Sequence, residues 1–343
     1  MENNRVVWID YMKAISMMLV VVYHTPERYQ ILDEGVIFNL GVPVFFFLAG
    51  LLYNPSKYSN WFDYILHRSR QLLVPYTTFF VLFYVLWILV GRRMVGGEEE
   101  NIGLLLPLYE WATGQPTVVV GTFWYVACLF SMQVVYHLLS RLVPRRWCMV
   151  AVSVVLLLST WVCYVHEWNI GKAFIYMPLY AVGHWVSDKV IARRGGSPLR
   201  ATVDALLLVA GIAWLAWSAT IADRLLFRYA TVAGVLMILP AYVDAAKALA
   251  RRWGSCGVVT HIAVYGITFL ALQNYLIGVI KIVLMRTLGA GVFDQYVWLK
   301  LVVAVAVMIL IYPCSLAIAR YLPWMLGRGR MFDKLQNYRN FAS

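Results

Sequence analysis

Residues 7–26 read VWIDYMKAISMMLVVVYHTP, an apolar run of helical length that carries Asp10, Lys13 and His24 and stops at Pro26. A stretch this long and apolar crosses a bilayer as an α-helix, because a helix satisfies its own backbone hydrogen bonds in hydrocarbon. Three ionisable side chains work against that insertion: a Lys or Asp at the bilayer centre costs about 2.5–3.5 kcal/mol. Residues retained against such a penalty are functional candidates. Lys13 and His24 are 11 residues apart. At ~100° per residue that spacing returns them to nearly the same face, with Met17 between them. Asp10 lies ~40° off this stripe and ~21 Å from His24 along the axis, so it cannot orient the imidazole within this helix. Pro26 disfavours helical geometry at Thr25. That ends the helix near His24 and sets its ring beside a carbonyl-rich terminus, which favours the protonated form.

The same apolar pattern recurs along the chain. Of 343 residues, 62% are hydrophobic and 13% charged, whereas soluble domains are about a quarter charged. Ten segments are candidates to cross a membrane, at about 6–24, 36–53, 72–92, 117–139, 148–165, 172–187, 201–222, 227–246, 260–285 and 296–322. Those at 36–53 and 172–187 are short or interrupted by Gly and Pro. The fold class is therefore all-α: a polytopic bundle of about ten transmembrane helices forming one domain over 1–343. Placing the N-terminus inside puts most of the 29 lysines and arginines on the cytoplasmic side, including Arg68, Arg70, Arg141, Arg145, Arg146, Arg193, Arg194, Arg251, Arg252 and the tail residues Arg328, Arg330, Lys334 and Arg339. Both termini are accordingly expected in the cytoplasm.

The net charge of +12 follows from that topology, with attraction to anionic membrane lipids second, and gives no support to nucleic-acid binding. The five cysteines, Cys128, Cys148, Cys163, Cys256 and Cys314, lack paired spacing and read as packing residues, with neither a disulfide framework nor a metal site. The first span is long, charged and without a small-residue cleavage site, so it reads as a retained helix. The connection at 93–116 holds Glu98, Glu99 and Glu100 in a solvated turn before an apolar stretch that lies partly on the membrane surface. The two halves of the chain show no repeat, which weakens a transporter built from inverted repeats.

Among the polar residues, His24 has the chemistry of a general base, or of a nucleophile that briefly carries an acyl group. Residues 67–76, HRSRQLLVPY, place Arg68 and Arg70 where guanidinium groups suit phosphates; positive-inside anchoring accounts for them as well. Gln273 and Asn274 sit mid-span and need partners on other helices or on a ligand. Trp124 and Tyr125 suit a pocket wall or a stacking platform, and also plain aromatic packing. No Gly-x-Ser-x-Gly elbow, phosphate-binding loop or His-Glu-x-x-His motif is present.

Read together, these residues resemble the acyltransferase-3 family of integral membrane acyltransferases over nearly the whole chain. Ile9 to Ile15 leading to Val20 through His24 is similar to that family's opening helix. Val42 through Gly50 is similar to its Pro-x-Phe-Phe-x-x-Ser-Gly span, and Arg70 through Tyr76 to the start of its third helix. Weaker echoes lie at Phe123 to Tyr125, at Tyr180 to Gly183 and at Pro323 to Gly327. Three positions depart from the pattern. The family's Arg-x-x-Arg is here His67, Arg68, Ser69, Arg70, so His67 and Arg68 both compete for the first role. Ala49 stands where the family has serine, and Ala271 to Tyr275 holds Gln273 and Asn274 near its usual histidine.

The resemblance implies a multi-pass enzyme of the bacterial cytoplasmic (inner) membrane that transfers an acyl group, usually acetyl, from acyl-CoA to a hydroxyl of a sugar or cell-envelope glycan, lipid-linked acceptors included. His24 would be base or acyl carrier, with Lys13 and Asp10 sustaining the polar path. Arg68 and Arg70, with His67, would hold the donor phosphates, and no metal is required. A carrier or flippase for an anionic or lipid-linked glycan is the competing reading.

Overall fold

The computed structural model describes residues 6–26, 29–58, 60–92, 102–143, 145–193, 197–289, 291–296 and 298–329. Glu98, Glu99, Glu100, Arg194, Arg330, Lys334 and Arg339 lie outside them. The described residues form helices and turns without strands. In chain order the helices are α1 (Val7–His24), α2 (Gln30–Leu51), α3 (Trp61–Gly91), α4 (Leu105–Ala112), α5 (Gly121–Leu142), α6 (Arg146–Ser159), α7 (Ile170–Ala192), α8 (Pro198–Ser218), α9 (Arg224–Trp253), α10 (Gly257–Leu288) and α11 (Leu299–Tyr321).

Among the described residues, eight of these, α1, α2, α3, α5, α8, α9, α10 and α11, are long and apolar enough to cross a membrane. The other two expected spans are also helical. α6 has only 14 residues, fewer than the roughly 20 a bilayer core requires. α7 has 23 residues, yet Lys172, His184 and Asp188 lower its apolar character. Its middle, Ile175, Tyr176, Met177, Leu179, Tyr180 and Ala181, is buried at successive positions. At ~100° per residue those positions go all the way round the helix, so protein and not lipid surrounds it.

The chain folds as two compact units interleaved in sequence. The first comprises residues 1–54, 142–163 and 174–312. α1 is its centre and packs on α2, α9 and α10. Met17, Val21 and Val22 of α1 join Phe269 and Ile277 of α10 and Leu299, Val303, Val307 and Ile311 of α11 in one apolar cluster. α2 comes close to α1 at Gly41, where a Cβ would stand 3.1 Å from Val20 Cγ2. It comes closer still to α7: Gly50 lies against the Tyr180 backbone, and a Cβ on Gly183 would be 2.9 Å from Leu51 N. This pair of glycines lets two helix backbones touch, the small-residue packing that membrane helices favour.

α2 begins with a wide π-helical turn, Gln30–Ile37. The turn buries Asp33, whose Oδ2 accepts from Lys300 Nζ at 2.6 Å and from the Tyr29 amide at 2.8 Å.

The second unit comprises residues 55–141, 164–173 and 313–343. Asn60 caps the start of α3 by accepting from the Asp63 amide at 2.8 Å. Near its middle, Tyr76 donates to the Trp111 carbonyl at 2.8 Å. The segment before α7 turns through Trp168 and Asn169, both at positive φ. It is held because Asn169 Nδ2 donates to Gly114 O at 2.7 Å and Ser131 Oγ to Trp168 O at 2.8 Å. After α11, the turn Pro323–Leu326 ends at Gly327, left-handed at φ 64° and pressed against the Arg70 carbonyl. Of the cysteines, Cys128 is buried, whereas Cys163 and Cys314 are exposed.

Candidate active site

α1 ends where Pro26 requires: Thr25 is extended at φ −66°, ψ 151°, and His24 is the last helical residue. In its last turn, Val22 O accepts from the Thr25 amide at 3.2 Å. The His24 ring folds back on the preceding turn, its Nδ1 lying 2.7 Å from Val20 O. A carbonyl only accepts, so Nδ1 carries the hydrogen and, in the neutral ring, Nε2 carries the lone pair. The Tyr23 ring, edge-on at 5.1 Å, flanks the imidazole. Thr25, fully buried, donates from Oγ1 to Val22 O at 2.6 Å and completes the cap.

The half-buried His24 lines an open cleft of about 300 Å³ together with Thr25, Pro26, Asn274, Ile277, Gly278 and Lys281. α10 supplies the wall opposite the end of α1. Asn274, Gly278 and Lys281 recur at intervals of four and three residues, which keeps them on one helical face. Gln273, one position earlier, is rotated by ~100°. It is fully buried, and neither its Oε1 nor its Nε2 has a hydrogen-bond partner among the described residues. The two amides that sequence groups together are thus separated: Asn274 faces the cleft and Gln273 the packing.

Asp10 and Lys13 do not line this cleft. They stand toward the opposite end of the unbroken α1, with Asp10 buried and accepting from Thr260 Oγ1 at 3.4 Å and Lys13 half-buried. Lys281 completes this wall of the cleft although no sequence motif marks it. Its spacing of seven from Asn274 was the available signal.

In the second unit, His67 and Arg68 of α3 gather with His137 and Arg141 of α5 around two tyrosines. The Arg68 guanidinium lies 5.2 Å from the Tyr64 ring centre. His137 stacks on the same ring at 4.0 Å. Arg141 Nε donates to His137 Nε2 at 3.4 Å. Tyr58 contacts both Tyr64, at 5.0 Å, and His67, at 5.4 Å. His137 and Arg141 belong to this basic group although no motif marked them. Arg70 has a fixed task as well, donating from Nε to Gly327 O at 2.7 Å. Trp124 and Tyr125 open the α-helical part of α5, half-buried and edge-to-face, with Lys172 Nζ 4.4 Å from the Trp124 ring centre.

The family model described as an acyltransferase domain matches residues 6–320, nearly the whole chain. No curated protein and no solved structure matches it.

Proposed function

The chain belongs to the acyltransferase-3 family and is a membrane acyltransferase, and from that premise we propose that it moves an acetyl group from acetyl-coenzyme A to a hydroxyl of a sugar or envelope glycan in a bacterial cytoplasmic membrane, with His24 as base. One observation carries this reading: a cleft with an imidazole whose Nδ1–H is tied to Val20 O, which presents Nε2 as the basic atom. In the proposed step Nε2 takes the proton as the sugar oxygen attacks the thioester carbonyl. The C–O bond forms, the C–S bond breaks, and the proton passes to the departing thiolate, leaving coenzyme A as free thiol. A two-step route in which Nε2 itself is acylated uses the same atom and differs in leaving an acyl-enzyme to trap.

Asn274 orients the acceptor by hydrogen bonds at the cleft wall. The donor phosphates fall to Arg68, Arg70 and His67, a role supported by the basic group that His67 and Arg68 share with His137 and Arg141. Trp124 and Tyr125 offer aromatic faces to substrate. Asp10 and Lys13 sustain the polar character of α1 at its other end.

The test is transfer of radiolabel from acetyl-coenzyme A by purified protein in detergent. Alkali-labile label on a glycan is expected. Arg68→Gln is expected to raise the donor KM roughly 10- to 100-fold, the equivalent of one charge-assisted hydrogen bond. Failure to bind or turn over any acyl-coenzyme A would refute the donor assignment.

A further inference from the structure

We propose that the acceptor is anionic, its carboxylate or phosphate held by Lys281 while His24 works on a nearby hydroxyl; this rests on the acyl-transfer reading of the cleft. Among the described residues of the cleft lining, Lys281 is the one lysine or arginine, and none is Asp or Glu. It is flanked by Ile280, Ile282, Val283 and Leu284, so it stands as a cation within an apolar stretch of α10.

Gly278, between Asn274 and Lys281 on the same face, supplies a second observation. A Cβ there would meet nothing within 4 Å, so packing does not require glycine, although glycine inside a helix is disfavoured by about 1 kcal/mol relative to alanine. What the missing side chain leaves open is the cleft floor leading to Lys281. A volume of about 300 Å³ is at the lower end for small-molecule sites. It suits one sugar with its charged substituent. The competing use of Lys281 is to reach a lipid phosphate at the membrane surface.

The experiment measures His24-dependent acetyl-coenzyme A turnover in phosphatidylcholine nanodiscs while methyl glucuronide, glucose 1-phosphate or methyl glucoside is titrated. Stimulation and inhibition both report occupancy. The two anionic sugars are expected to act at concentrations at least tenfold below the neutral one. Lys281→Gln should abolish that preference, Lys281→Glu should reverse it, and Lys281→Arg should retain it, which separates charge from folding. Gly278→Leu, which fills the floor, should weaken all three sugars.

Equal potency of charged and neutral sugars, no effect of any of them, or a preference that survives Lys281→Gln would overturn the proposal. So would turnover that follows added phosphatidylglycerol and ignores sugar charge. Turnover that is absent, or that persists in His24→Ala, sinks the acyl-transfer reading instead. Calorimetric titration of the same sugars then still measures the charge preference.

Discussion

Lys300→Met removes one half of the ion pair that anchors the start of α2. Asp33 is 0% exposed and Lys300 4%, so solvent does not screen the pair. Asp33 Oδ1 has no hydrogen-bond partner among the described residues, and without Lys300 the carboxylate would keep only the Tyr29 amide on Oδ2. Stranding a buried charge in this way costs about 3–5 kcal/mol, whereas replacing both partners by apolar residues of similar size is often neutral. Lys300→Met and Asp33→Leu are therefore each expected to destabilise by about that amount, and the double variant by far less than their sum, a coupling of roughly 3 kcal/mol or more. Equilibrium unfolding in mixed detergent micelles, followed by tryptophan fluorescence, measures the cycle. Additivity within ~0.5 kcal/mol would refute the reasoning. The pair also bears on the active site, because Tyr29 follows Pro26 of the cleft by three residues and is bound to the same carboxylate oxygen.

Two further outcomes follow from packing. Gln273→Met replaces a buried amide that has no hydrogen-bond partner among the described residues by an apolar side chain of similar length, and is expected to stabilise the protein by about 1–3 kcal/mol in the same unfolding assay; a loss of stability would mean that the amide is used. Gly183→Ala drives a methyl group into the backbone of α2, which yields less readily than a side-chain tip. A loss of about 1–3 kcal/mol is expected, and an unchanged thermal unfolding midpoint would show that α2 and α7 are not in this contact.

The membrane helices were legible because apolar length decides them, and Pro26 marked the neighbourhood of His24, where α1 ends. The count was less legible. α6 and α7 are helices whose apolar character does not by itself reveal whether protein or lipid covers them, and α7 is covered by protein. The cleft was half legible. His24 stood out by chemistry, but Asn274 and Gln273 are neighbours in sequence, and only the rotational setting of α10 separates them. Lys281 and Lys300 look alike as lysines in or beside apolar spans, yet one lines an open cleft and the other is sealed against Asp33. Pairing across more than two hundred residues leaves no local trace. The same holds for His137 and Arg141, which join the basic group only because α5 packs beside the start of α3.

The role of His24 is tested most directly by the initial rate of acetyl transfer for wild-type protein and His24→Ala at equal folded concentration, measured with saturating donor. Loss of a general base predicts a kcat lower by roughly 10²–10⁴-fold, with the donor KM unchanged. A His24→Ala protein that transfers acetyl at the wild-type rate would show that the base lies elsewhere.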